Sequence, residues 1–289
     1  MNSYTPPSLE TFLQAPHEQV AAVAPTTLIY APGGTRRNAV LAGIEPTSDA
    51  YASWSHQQML HGLQVIFAHG VRHCFAVILR PAQVAERGRY RERLFSWLAE
   101  ELVGERAMKM YAASDWRVRM VGAVEIPALA AAAAQLHQIN ASPSAPTLWY
   151  YLTTTPDAQF QALQQALRAP GVTSRDMAVA QLYGETIPPA TMLISFGKPL
   201  VSDDIVPPLL SGELQCYWTQ QPGFTLDAPT LRRIIFDYAF IRNTWRSDKS
   251  TRYQHVLAQR SLWQREPAYV LGLGTRLEGD FWYPQESVE

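Results

Sequence analysis

Along the chain, short unbroken hydrophobic runs alternate with longer segments in which apolar residues recur every three or four positions. The first run, "TTLIYAP" (Thr26 to Pro32), is β-branched and aromatic and is stopped by proline and glycine, which predicts a strand ending in a loop. Asp49 then offers a helix N-cap, and Tyr51, Trp54, Gln58, Gly62, Val65 and Ile66 follow at helical spacing up to a glycine stop near Gly70. "RHCFAVIL" (Arg72 to Leu79) reads as a buried strand and "ERLFSWLAEEL" (Glu92 to Leu102) as a helix. "WRVRMVG", "PTLWYYLTTT", "ATMLISFG" and "LQCYWT" repeat the strand signature. The alanine-rich "PALAAAAAQLHQIN" separates the first two as a helix, and "APTLRRIIFDYAFIRNTW" predicts one more helix near the end. Strands without polar alternation need cover on both faces. The pattern therefore predicts an α/β fold with a mostly parallel central sheet flanked by helices.

A length of 289 residues leaves room for one large domain or two small ones, and no Ser/Gly-rich linker or charge block marks a boundary. We read an N-terminal extension over 1–25 and a single domain over 26–289. With 47% hydrophobic and 17% charged residues the chain can build a sizeable core. A net charge of −1 excludes the basic excess that phosphate-backbone binding requires, so no nucleic-acid partner is expected. No run reaches membrane-spanning length, and "MNSYTPPSLETF" lacks the features of a signal peptide, which points to a cytoplasmic protein. Cys74 and Cys216 lack CxxC spacing and lie in apolar surroundings, which predicts buried thiols.

The stretch "YAPGGTRRNAV" (Tyr30 to Val40) concentrates unusual chemistry at a strand end. Gly33 and Gly34 allow close backbone approach, Thr35 adds a hydroxyl, and Arg36 and Arg37 supply planar donors matched to phosphate oxygens. The bland alternative is a surface turn with two solvated arginines. Neither GxxxxGK[ST] nor GxGxxG is present. His56, His61, His69 and His73 cluster in sequence without HExxH spacing, so structural roles outweigh zinc binding, and the absence of GxSxG argues against a nucleophilic hydrolase. Tyr51, Trp54, Tyr90, Trp97, Trp149, Tyr150, Trp218, Trp245 and Trp282 are spread over many elements. Most aromatics serve a core, but a set beside a phosphate site would suit an isoprenoid cation.

The order of these segments resembles a known family. A strand, GTRR, a helix ending in HG, "RGRY", "VGAVEIPALAAAAAQ", "LLSGELQCYWT" and "TLRRIIFDYAFIR" together resemble the cis-prenyltransferase-fold diterpene synthases, the group of tuberculosinol/isotuberculosinol and kolavelool synthases. The resemblance runs from about Leu28 to Trp282 and implies a cis-prenyltransferase (undecaprenyl diphosphate synthase)-like fold for a catalytic domain over 26–289. It places Gly33, Gly34, Thr35, Arg36 and Arg37 on a diphosphate, with Arg89 a further phosphate candidate. It sets Tyr51 and Tyr90 beside the reacting carbon and Trp282 in the pocket wall, and it implies a homodimer. Three positions depart from the pattern. Gly33 stands where the family carries a diphosphate-loop aspartate, and Gln215 stands where chain-elongating members carry a metal-binding glutamate. Ser195 stands where those members carry the first arginine of a second diphosphate site.

Loss of these groups disfavours joining two diphosphates and suits ionising one. The expected substrate is a bicyclic C20 prenyl diphosphate of kolavenyl or tuberculosinyl type, with water captured to give a diterpene alcohol. Transfer to another acceptor such as a nucleoside, and a non-catalytic cis-prenyltransferase-like subunit, are the alternatives. Mg²⁺ is expected to arrive with the substrate's phosphates, its protein ligands being unknown. Asp203, Asp204 and Asp237 are the carboxylates to examine for a protein-held site.

Overall fold

The buried runs pair side by side. In a computed structural model that describes residues 6–123, 125–245, 247–266, 270–279 and 281–285, they form β1 (Thr27–Ala31), β2 (His73–Leu79), β3 (Arg117–Val121), β4 (Thr147–Leu152), β5 (Ala190–Phe196) and β6 (Ser211–Thr219). These strands make one six-stranded sheet in the order β3-β4-β2-β1-β5-β6. Every pairing in it is parallel. A short antiparallel hairpin, β7 (Gly274–Leu277) and β8 (Phe281–Pro284), stands apart from the sheet.

Strands that are covered on both faces split their side chains between two cores. Leu28, Tyr30, Cys74, Ala76, Leu148 and Tyr150 point to one face, and Ile29, Phe75, Val77, Trp149 and Leu193 to the other, as the period of two requires. Helices Asp49–Ala68 and Arg89–Val103 cover the first face. Within the N-terminal extension, helices Leu9–Leu13 and His17–Ala21 pack onto that face too. Phe12 meets Phe236 and Phe240, and Arg232 donates to the Leu13 and Ala15 carbonyls.

Three details differ from the sequence reading. Ser48 is the N-cap of the long helix, with Asp49 its first helical residue. The helix at Ala228–Phe236 passes into a π-turn, Asp237–Ile241, and stops. There the Arg242 N–H closes onto the Asp237 carbonyl at 2.8 Å, while the Asp237 carboxylate takes the Arg242 Nε at 2.7 Å and the Tyr217 hydroxyl at 2.8 Å. Cys216 is half-buried, because β6 is a sheet edge; Cys74, on central β2, is buried as expected.

Candidate active site

The chain order reverses at β1. From β1 it moves to β2 on one side, and it later returns to β5 on the other, which opens a crevice at the carboxyl ends of β1 and β5. GGTRR follows β1 and "GK" follows β5, so the two loops meet there. Gly33 lies against β5 so closely that a Cβ on it would sit 2.6 Å from the Phe196 carbonyl oxygen. Gly34 takes a left-handed φ of 73° and caps helix Thr35–Leu41. The Gly33 carbonyl accepts from the Gly223 N–H at 2.7 Å, and Asn38 Nδ2 donates to the Gly223 carbonyl at 3.0 Å. The loop is thereby held on two sides.

The two arginines differ sharply. Arg36 makes a two-fold hydrogen-bonded pair with Glu86, both bonds 2.7 Å, and stacks over the Tyr90 ring at 4.6 Å. Partial burial alone would lower its pKa, but the Glu86 carboxylate outweighs that and raises it. Arg37 has no carboxylate partner among the described residues; its guanidinium lies against Gly34 and Gly197 and 5.4 Å from the Phe281 ring centroid. Tyr51 shares a hydrogen bond of 2.9 Å with Thr35. The Tyr51, Tyr90 and Trp97 rings form a trio with centroids 6.0 to 6.1 Å apart. Burial, then the neighbouring Tyr51, pushes the Tyr90 hydroxyl well above its ordinary value, so it stays a neutral donor.

Beneath the loop a cavity of about 1210 Å³ runs between the two long helices. Tyr51, Ala52, Ser55, His56 and Met59 line it from one helix, and Tyr90, Leu94, Trp97, Leu98, Glu101 and Leu102 from the other. Their spacings are those of single helical faces, which is why both helices present a continuous wall. The hairpin covers the mouth with Leu277, Phe281, Trp282 and Tyr283.

Of the residues singled out in the sequence, Gly33, Gly34, Thr35, Arg36, Arg37, Tyr51, Tyr90 and Trp282 all line this cavity. Arg89 does not. It is the exposed first residue of its helix, so its side chain is directed to solvent instead of the crevice. Lys198, Glu86, His56, Glu101 and Phe281 complete the surroundings and were not assigned to the site from sequence. The helical repeat through His56 and Glu101 was a readable signal for the wall, but the pairing of Arg36 with a carboxylate 50 positions away was not.

The residues present do not fit a resident Mg²⁺ site. Among the described residues no cluster of three or more His, Cys, Asp or Glu side chains could hold a metal. Gly33 and the crowding behind it exclude an aspartate without movement of the β5 end. Gln215 lies on edge strand β6 and accepts from Tyr217 at 3.4 Å. Asp204 is taken by Arg80 at 2.5 Å and Asp237 by Arg242, while Asp203 is exposed.

The site sits in a chain that is similar to known proteins. The chain is 43% identical over 282 residues, 97% of its length and 96% of the relative's, to (+)-kolavelool synthase of Herpetosiphon aurantiacus. It belongs to the cis-prenyltransferase-fold diterpene synthases. A second member, tuberculosinyl adenosine transferase of Mycobacterium tuberculosis, is 25% identical over 296 residues, covering 96% of this chain and 98% of that one. Solved structures agree on the fold. Lavandulyl diphosphate synthase from Lavandula x intermedia superposes with a TM-score of 0.59 at 12% identity over 78% of this chain and 98% of its own. A probable undecaprenyl diphosphate synthase from Campylobacter jejuni gives 0.56 at 10% identity over 77% and 97%. No profile of a protein family matches the chain.

Proposed function

We propose that this enzyme ionises a bicyclic C20 prenyl diphosphate of kolavenyl or tuberculosinyl type, releases diphosphate and captures water to give a diterpene alcohol such as kolavelool. The observation that carries the reading is the placing of Arg37, which has no carboxylate partner among the described residues, at the loop above a long, largely apolar cavity. The relative named (+)-kolavelool synthase supports the product class. In this reading Arg37, Thr35 and the backbone of Gly33 and Gly34 take the leaving diphosphate, and Arg36 contributes once Glu86 yields. The developing allylic cation lies against the Tyr51, Tyr90 and Trp97 faces, each worth roughly 0.5–2 kcal/mol. The hairpin keeps bulk water out while the cation exists.

Chain elongation is disfavoured by Ser195. It is buried, donates to the Ala31 carbonyl at 3.3 Å and offers a second diphosphate no charge. Incubation with linear and bicyclic C20 diphosphates, with mass spectrometry of the products, tests the reading. Alcohol and diphosphate from a bicyclic substrate without isopentenyl diphosphate are expected. Prenylated nucleoside formed on adding adenosine would move the assignment to transfer, and longer polyprenyl diphosphates would overturn it.

A homodimer is part of the same proposal. Trp245 and Trp263 are 74% and 73% exposed, large apolar side chains of the kind that subunits cover. Sedimentation equilibrium should give twice the chain mass; a monomer at micromolar concentration would contradict it.

A further inference from the structure

The wall of the cavity carries a polar pair that the site described so far does not use. His56 and Glu101 face each other from the two long helices, and His56 is only 6% exposed. His56 Nε2 lies 3.3 Å from the Tyr150 hydroxyl and 3.4 Å from that of Tyr111. Those hydroxyls are 2.8 Å apart, and Tyr111 also donates to the Leu102 carbonyl at 3.2 Å. Such contacts fix the imidazole ring. Its other nitrogen, Nδ1, stands 3.8 Å from Glu101 Oε2. That gap is too long for a direct hydrogen bond and suited to one shared oxygen.

Alcohol formation inside an apolar cavity needs a held water and an acceptor for its proton. We propose that His56 and Glu101 are that site, an inference that rests on the functional reading above. The carbon–oxygen bond to diphosphate breaks first, and diphosphate leaves with the bonding pair. The water between Nδ1 and Oε2 then forms the new carbon–oxygen bond with the allylic cation. Its proton passes to His56 Nδ1, with the Glu101 carboxylate stabilising the imidazolium. His56 lies five residues beyond Tyr51, about 7.5 Å further down the helix axis. The water therefore reaches the cation from the side away from the departing diphosphate.

Because ionisation precedes capture, the pair governs which product forms more than how fast diphosphate leaves. His56→Phe and Glu101→Leu are compared with the parent on a bicyclic C20 allylic diphosphate, measuring diphosphate release and the ratio of alcohol to olefin. Release is expected to stay within about threefold, while the alcohol-to-olefin ratio falls by about tenfold or more as capture loses its base. An unchanged ratio in folded variants overturns the assignment, as does a parallel loss of release and alcohol. Glu101 is partly exposed, so its variant carries the test if His56→Phe does not fold. A parent that releases no diphosphate from any C20 allylic substrate refutes the functional reading itself, before a variant is made.

Discussion

Arg36 and Arg37 share a side chain and a helix turn, yet their surroundings give them different tasks. Arg37 lacks a carboxylate partner among the described residues, so its charge is available to the leaving group. Arg37→Ala should lower turnover by about 10²-fold or more, since a lost preorganised donor costs roughly 3 kcal/mol, with little change in thermal stability. Parental turnover would show that the loop is only a turn. Arg36→Ala strands the Glu86 carboxylate at the mouth, so it should also weaken substrate binding by repelling the diphosphate. The GGTRR motif was legible as a phosphate loop because glycine and arginine have narrow physical uses. The division of labour was not, because Glu86 is brought in by the fold. Gly33 shows the same limit: the missing aspartate was visible, while the Phe196 carbonyl that fills its place became visible only with β5 beside β1.

At the scale of elements, all six parallel strands lie within or overlap the predicted hydrophobic runs, since buried strands leave an unbroken apolar signature. The end of the closing helix was misjudged because Tyr217 and Arg242, partners of Asp237 from another element and the next turn, decide it. The hairpin was missed as a cover over the cavity, four-residue strands being too short to carry periodicity. Arg80, just past β2, is tied to Asp204 in the loop after β5, and this pair holds one wall of the mouth. Burial alone would raise the Asp204 carboxyl, but hydrogen bonds from Arg80 and Ser202 outweigh it and hold it below the usual value. A carboxyl depressed in the folded state stabilises above its unfolded pKa of about 3.9, and that contribution is lost as pH falls through the folded value. Asp204→Asn should therefore lower the melting temperature near neutral pH and flatten its decline below about pH 4. Equal acid sensitivity in parent and variant would contradict the pairing.

For the whole molecule, the proposed function sets ionisation of a single diphosphate on a prenyltransferase-like fold. In the proposed reading Ser195, Gln215 and Gly33 stand where the family resemblance expects a second cationic site and carboxylates for a metal. Magnesium titration of the substrate-free protein should accordingly show no tight site, and micromolar binding would mean an overlooked carboxylate. The most direct measurement of the central claim is the reaction of a bicyclic C20 allylic diphosphate in ¹⁸O-labelled water, without isopentenyl diphosphate. Ionisation with water capture predicts one ¹⁸O in each alcohol molecule and none in the released diphosphate. Label in the phosphorus product with an unlabelled alcohol would mean cleavage at phosphorus, and would contradict the account.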